Sequence, residues 1–259
     1  MKKLHIYALL CLSMALFSFK PVANTKALES TIWHDIKDTD TKIIPISHAT
    51  FILEVKHITI YVDPVGGAES FKDKKEPNLI LITDIHGDHF NLETLEAVAK
   101  HHTAIITTQA VADKLSKTLR DQTFVLNNGE SRTYDHLKIE AIPMYNLRPE
   151  ALKYHTKGRG NGYVINNHGE RIYISGDTED IPEMRNLKDI DIALVCMNLP
   201  YTMPVDKAAE AILDFKPKEV IPYHYRGTDG YSDVNSFKAL VNAKDPKIKV
   251  TLLDWYSKN

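Results

Sequence analysis

The stretch Leu81–Asn91, "LITDIHGDHFN", decides how this chain is read. An apolar run stops at Thr83, and four residues able to hold a metal ion follow within six positions: Asp84, His86, Asp88 and His89. In an extended segment, residues two apart point the same way. Asp84, His86 and Asp88 are therefore expected to share one side, with Gly87 permitting a bend. His89 sits at the turn into the next helix. Imidazole nitrogen and carboxylate oxygen are donors that zinc, iron and manganese accept. A polar surface loop can carry the same residue types, so further ligands must come from elsewhere in the chain.

Two downstream segments supply them. "YISGDTED" (Tyr173–Asp180) puts Asp177 just after another strand, and "VIPYHY" (Val220–Tyr225) puts His224 at the end of a third. Asp177 also has the position of a cap for a helix near Pro182. Three strand ends, each with a ligand-type residue, can converge on one rim of a layered sheet structure, which makes a metal centre the economical reading.

Outward from these points the chain is rich in strands. Ile43–Val55, His57–Pro64, Asn78–Thr83, Thr103–Thr108 and Leu137–Tyr145 read as strands, and Gly66–Pro77 reads as a loop. Helical spacing begins at Leu92, with Asn91 as its N-cap, and recurs over Gln109–Leu119. "TFVLNNGESRTY" (Thr123–Tyr134) has the pattern of two strands joined at a tight Asn-Gly turn. A long loop, Asn146–Asn161, precedes a hairpin over Gly162–Ser175. Asp191–Met197 and Glu219–Tyr225 are strands, Val205–Phe215 and Val234–Val241 are helices, and Lys249–Asp254 closes the pattern. This is not the strict alternation of a parallel α/β sheet. It predicts an α+β arrangement of two packed sheets with helices outside.

The chain has 259 residues, 43% hydrophobic and 25% charged, with a formal net charge of -2. No basic run marks a nucleic-acid binder. Lys2 and Lys3 precede an apolar stretch from Ile6 to Phe19, followed by small and polar residues. That order is expected of a secretory signal peptide over 1–27, leaving one domain over 28–259 and an exported, periplasmic or secreted product. An uncleaved N-terminal anchor is the other reading. Cys11 lies inside the apolar stretch, so Cys196 is the single cysteine of the mature chain and no intramolecular disulfide is expected. Its setting, "IALVCMN", predicts a buried core thiol.

"DIHGDH", "SGDT" and "PYHY", in this order, resemble the metallo-β-lactamase superfamily, whose pattern is His-x-His-x-Asp-His, a later His, a bridging Asp and a final His. "KGRGNGYVI", "GDTEDIPEM" and "MNLPYTM" are similar to its L-ascorbate-6-phosphate lactonase-like branch. The resemblance runs from about Ile43 to the C-terminus and implies a four-layer αββα sandwich of two mixed sheets flanked by helices, with one or two metal ions at its rim. It implies a second metal site of Asp88, His89 and His224, with Asp177 bridging. His86 matches a ligand of the first site. Asp84 stands where that site's first His is expected, and Asn146, in "PMYN", where its third is expected. Neighbouring Tyr145 offers only a phenol. The first site is therefore weakened relative to the family, and manganese, magnesium or iron suits it better than zinc.

The implied chemistry is metal-dependent hydrolysis. A bound ion lowers the pKa of its water from 15.7 to about 7, and the hydroxide attacks a small ester, lactone or phosphodiester. Asp88 and Asp177 are the candidate catalytic carboxylates, and Zn²⁺, Mn²⁺ or Fe²⁺ the expected ions. His155, Lys157 and Arg159, on the Gly-rich loop, are candidate substrate contacts, since Arg can grip phosphate or carboxylate bidentately. His48 is expected to support the site or the core, and Tyr201 and Met203 to line a pocket or pack. His101, His102, His136 and His168 read as surface residues. The alternatives are a phospholipase D-like phosphodiesterase and a non-catalytic metal-binding protein with a degraded first site. The expected partner is a small-molecule substrate, with neither nucleic acid nor a stable membrane span in the mature chain.

Overall fold

A computed structural model describes residues 33–36 and 39–256. The expected signal segment, 1–27, lies outside them. Two seven-stranded sheets form the body. The first takes, in order, β1 (His34–Asp35), β2 (Thr41–Ser47), β3 (Thr50–Val55), β4 (Ile58–Val62), β5 (Leu79–Leu81), β6 (Ala104–Thr107) and β7 (Thr123–Val125). The later strands are β8 (Ser131–Tyr134), β9 (Leu137–Met144), β10 (Gly160–Asn167), β11 (Glu170–Ile174), β12 (Ile192–Cys196), β13 (Glu219–Tyr223), β14 (Arg226–Gly227), β15 (Gly230–Tyr231) and β16 (Lys249–Val250). The second sheet has the order β16-β13-β12-β11-β10-β9-β8, and β14 and β15 pair as a separate ribbon. Each large sheet is mixed. β1 to β4 and β8 to β11 pair antiparallel. β4 to β7, and β11 through β12 and β13 to β16, pair parallel.

Strand alternation explains the layering. Phe51, Leu53 and Val55 on β3, Ile60 and Val62 on β4, and Leu79 and Leu81 on β5 face the second sheet and join one core with Ile139, Tyr163, Ile165 and Ile172. The intervening Ile52, Tyr61, Ile80 and Ile105 point the other way, into a separate core. There they meet Leu95 of α1 (Leu92–Val98), Val111 of α2 (Gln109–Ala112) and Leu119 of α3 (Lys117–Arg120). Beyond the short α4 (Pro182–Arg185), α5 (Val205–Phe215) and α6 (Val234–Lys244) bury Ile212, Phe215, Phe237 and Val241 in the core with the second sheet. With apolar residues on both faces, the central strands read as near-continuous hydrophobic runs, as doubly covered strands do. The αββα sandwich is the expected one.

Three local expectations are corrected. Thr123–Tyr134 is not a hairpin: β7 pairs with β6 in the first sheet, while β8 pairs with β9 in the second. The Asn127–Gly129 turn carries the chain between sheets, and cross-sheet destination is not encoded in the turn residues. The helix expected over Gln109–Leu119 is two short helices, because Ser116 is extended (φ -61°, ψ 159°). The i, i+4 spacing of Val111, Leu115 and Leu119 survives the break, and all three are buried. Asp177 caps no helix, since α4 is preceded by Ile181. Asn91 does cap α1, accepting from the Thr94 amide at 2.7 Å. Among the described residues, no helix is long and apolar enough to cross a membrane.

Candidate metal centre

Strands β5, β11 and β13 end at one rim, outside the carboxyl ends of the parallel strands, where open sheets commonly place their sites. The chain leaving β5 turns rather than extends, with the His89 and Phe90 amides donating to the His86 carbonyl. Asp84, His86 and Asp88 consequently do not share a side. The turn sorts them into two groups. Asp88 and His89 meet Asp177 and His224 in one group, and Asp84 and His86 meet His155 in the other. Within each group one donor atom per residue lies within 4.8 Å of every other.

The first of these groups is buried and closely drawn together. His89 and His224 are fully buried and Asp177 is nearly so. His89 Nε2 lies 3.1 Å from His224 Nε2 and 3.2 Å from Asp177 Oδ2. His224 Nε2 lies 3.0 Å from Asp177 Oδ1 and 3.5 Å from Asp88 Oδ2. Asp88, with its side chain 40% exposed, is the member open to solvent.

The tautomers follow from the surroundings. Asp63, buried at the end of β4, faces His89 Nδ1 at 2.8 Å and takes hydrogen bonds from the Thr83 amide and hydroxyl. His89 Nδ1 thus carries the proton, and Nε2 faces the group. Burial disfavours a charged His89, but Asp177 and Asp63 outweigh it and hold its pKa well above the ordinary imidazole value. Burial likewise works against an ionised Asp177, but His224, His89 and His155 hold its carboxyl well below the usual range. Asp88 is also held low against burial, by the hydrogen bond from His48 and the charge of His89. His48 lies with its ring 4.0 Å from that of His224, edge to face. Its own pKa is lowered, by burial and by proximity to His224.

Asn146 is not among the clustered donors. Its Oδ1 accepts from the amide of His155 at 3.0 Å and from His155 Nδ1 at 2.7 Å, and its Nδ2 donates to Glu179 Oε1 and the Tyr201 carbonyl. His155 stands in the group instead, with Nε2 3.2 Å from Asp177 Oδ2. It reaches there from the long loop rather than from the strand end. Tyr145 points elsewhere, donating to Glu183 Oε2 at 2.9 Å. Lys157 pairs with Glu183 at 2.6 Å, and Arg159 with Asp84. Neither lines the cavity above the centre. That cavity, of roughly 300 Å³, is lined by His86, Asp88, Tyr154, His155, Asp177, Asn198 and Tyr201. Met203 is fully buried in the core. A third group, His57, Asp135 and His136, lies in the β3–β4 and β8–β9 turns, away from this rim.

Sequence reasoning missed Asp63, Asn198 and Glu179. Asp63 had a signal: "YVDP" is a strand ending in Asp, the same pattern that marked Asp177. Glu179, nearly buried, accepts from the Leu147 and Arg148 amides and from Arg148 Nε, so it anchors the start of the long loop. Nothing local distinguishes it from a surface acid.

The donor set suits a divalent ion. Buried Asp177 Oδ1 makes no hydrogen bond, although His224 Nε2 lies 3.0 Å away. Two imidazole Nε2 atoms face each other, and both carboxylates beside them are held ionised. Buried charges are paired or coordinate metals.

The fold and this centre define a hydrolase-type metal site on a two-sheet sandwich. A family model described as a beta-lactamase superfamily domain matches residues 42–224, and the chain belongs to that superfamily. It is 30% identical over 213 residues to a UPF0173 metal-dependent hydrolase of Thermococcus kodakarensis, covering 78% of this chain and 93% of that one. A solved structure from Parabacteroides distasonis, described as a metal-dependent hydrolase, is 40% identical with a TM-score of 0.73, covering 83% and 94% of the two chains. A metallo hydrolase from Ignicoccus hospitalis, 23% identical, shares the fold with a TM-score of 0.70 over 84% of this chain and 96% of that one.

Proposed function

We propose that the protein is an exported hydrolase of small neutral esters or lactones, with its metal at Asp88, His89, Asp177 and His224. As a member of its superfamily with metal-dependent hydrolases as relatives, the chain is a metal-dependent hydrolase. The observation that carries the site is the facing pair His89 Nε2 and His224 Nε2, with Asp177 Oδ1 beside them, 3.0 Å from His224 Nε2. Two imidazoles and two carboxylates suit zinc, and also iron or manganese.

A bound divalent ion supplies Lewis acidity and brings a water pKa toward neutrality. The chain's own residues do the rest. Asp63 fixes His89 in the tautomer that presents Nε2, and Asn146 does the same for His155. Asp88, the exposed carboxylate of the group, accepts the proton of the attacking water. It then returns that proton to the departing alkoxide. Asn198 lines the cavity, and its Nδ2 lies 3.5 Å from His224 Nε2, placed to donate to a substrate oxygen. Tyr154 and Tyr201 pack edge to face with ring centres 5.0 Å apart and form an apolar wall.

The cavity size fits a small molecule, at the lower end of ligand sites. None of its lining residues is a Lys or Arg. A neutral ester or lactone is favoured over a sugar phosphate for that reason, and the lactone agrees with the lactonase-like motifs. Export rests on the order of Lys2, Lys3 and the apolar stretch after them.

The test is metal content by mass spectrometry with hydrolysis of a panel of aryl esters, γ- and δ-lactones and a phosphodiester. Wild type is expected to hold metal and to cleave a neutral member, and His89→Ala to lose both. Undiminished hydrolysis after complete chelation would sink the proposal.

A further inference from the structure

The two groups of donors at the rim differ in one respect. Among the described residues, the ion-pair partners of Asp88 and Asp177 are all histidines. Asp84, whose side chain is 0% exposed, has a guanidinium as well as a histidine, His86, whose Nδ1 lies 2.7 Å from its Oδ2. Arg159 Nε lies 3.3 Å from Asp84 Oδ1 and Nη2 lies 3.1 Å from Oδ2, a fork on both oxygens. Nη2 is also 3.4 Å from His86 Nε2 and donates to the Tyr154 carbonyl at 2.6 Å. One guanidinium thus takes up the carboxylate and the ring nitrogen that Asp84 and His86 could offer an ion.

His155, the remaining member, is turned away. Its Nε2 is 4.0 Å from Asp84 Oδ2 but 3.2 Å from Asp177 Oδ2. The residue types agree with this division. A neutral imidazole at position 84 would give Arg159 no charge to pair with, whereas a buried carboxylate requires one. Arginine stays charged at any pH the protein meets and fits a carboxylate bidentately. A divalent ion placed among the same atoms would face that fixed positive charge at contact distance.

We infer that the Arg159 guanidinium is the resident cation of the Asp84, His86 and His155 group, so that only the Asp88, His89, Asp177 and His224 group takes a divalent ion. This rests on the metal-binding reading of that second group. Asp84 is then a structural counter-ion rather than a ligand, and Arg159 sets the metal stoichiometry.

The experiment counts zinc per chain by mass spectrometry after saturation with Zn²⁺ and removal of the excess, with circular dichroism to verify folding. His86→Ala is expected to hold as many ions as wild type. Arg159→Met is expected to gain one ion, which is lost again in Arg159→Met/His86→Ala. Arg159→Lys, which keeps the charge, should stay at the wild-type count. Loss of an ion in His86→Ala, or no gain in folded Arg159→Met, overturns the inference. If His89→Ala holds as many ions as wild type, the metal-binding reading itself fails, and that outcome is read independently of Arg159.

Discussion

Asn146 Oδ1 accepts two hydrogen bonds from one residue, His155: from its amide at 3.0 Å and from its ring Nδ1 at 2.7 Å. The side chain thereby fixes both the backbone position and the tautomer of His155. Its own orientation is fixed by Glu179 and the Tyr201 carbonyl. Asn146→Ala should leave the fold intact and lower kcat/KM, because His155, which lines the cavity with Nε2 3.2 Å from Asp177 Oδ2, loses its fixed orientation. Asn146→Asp should retain more activity. Steady-state kinetics with thermal melts would check both.

Asp63 plays the corresponding part for His89. Asp63→Asn offers a neutral partner, so affinity for the divalent ion should fall roughly 10- to 100-fold. Competition against a chromophoric chelator measures this directly, without needing the substrate.

Cys196 is fully buried on β12. Burial, with the nearby Asp177 charge, pushes its thiol up to about 12. A thiol that rarely ionises and has no solvent access is inert. Ellman's reagent should find Cys196 unreactive in the native protein and reactive in denaturant. Fast modification of the native protein would contradict this placement.

Glu219 ties β13 to the N-terminal strand and to β16. Burial opposes its charge, but hydrogen bonds from His34, Thr251 and Lys249 outweigh it, so its carboxyl is held below the ordinary value. A depressed folded pKa gives stability that is present above the unfolded pKa and lost as pH falls through the folded one. Glu219→Gln should therefore cost about 1.5–3 kcal/mol near neutral pH. The gap to wild type should close on acidification below about pH 4. Urea melts at several pH values would show whether the difference narrows in that direction.

Gly227 lies against the segment that carries Tyr201. A Cβ there would come within 1.8 Å of the Leu199 carbonyl oxygen. Thr228 also binds this segment, through its amide to Leu199 and its hydroxyl to Tyr201. Gly227→Ala should shift Tyr201, raising KM several-fold more than it lowers kcat, because the wall moves and the metal group does not.

Much of this was legible in the sequence, for identifiable reasons. Asp88, His89, Asp177 and His224 stand at strand ends in compact patterns, and the αββα layering follows from apolar strands covered on both faces. His155 reads from the sequence as a substrate contact on the loop and not as part of the donor groups, because its direction is set by Asn146, which Glu179 holds. The extended reading of Asp84–Asp88 failed because backbone hydrogen bonds to the His86 carbonyl curl the segment. The assignment of β7 and β8 to different sheets depends on partners far along the chain, and no local pattern carries that information.

The centre straddles the seam of the sandwich: His89 leaves the first sheet and His224 the second, 135 positions later. An ion held by both is a rivet between the two halves of the chain. Closing so long a loop is entropically costly for the unfolded chain, and ligands that bind only the native state stabilise it by mass action. Loading should thus slow the parting of the sheets as well as equip the site. During synthesis the rivet cannot be set until His224, near the C-terminus, has emerged.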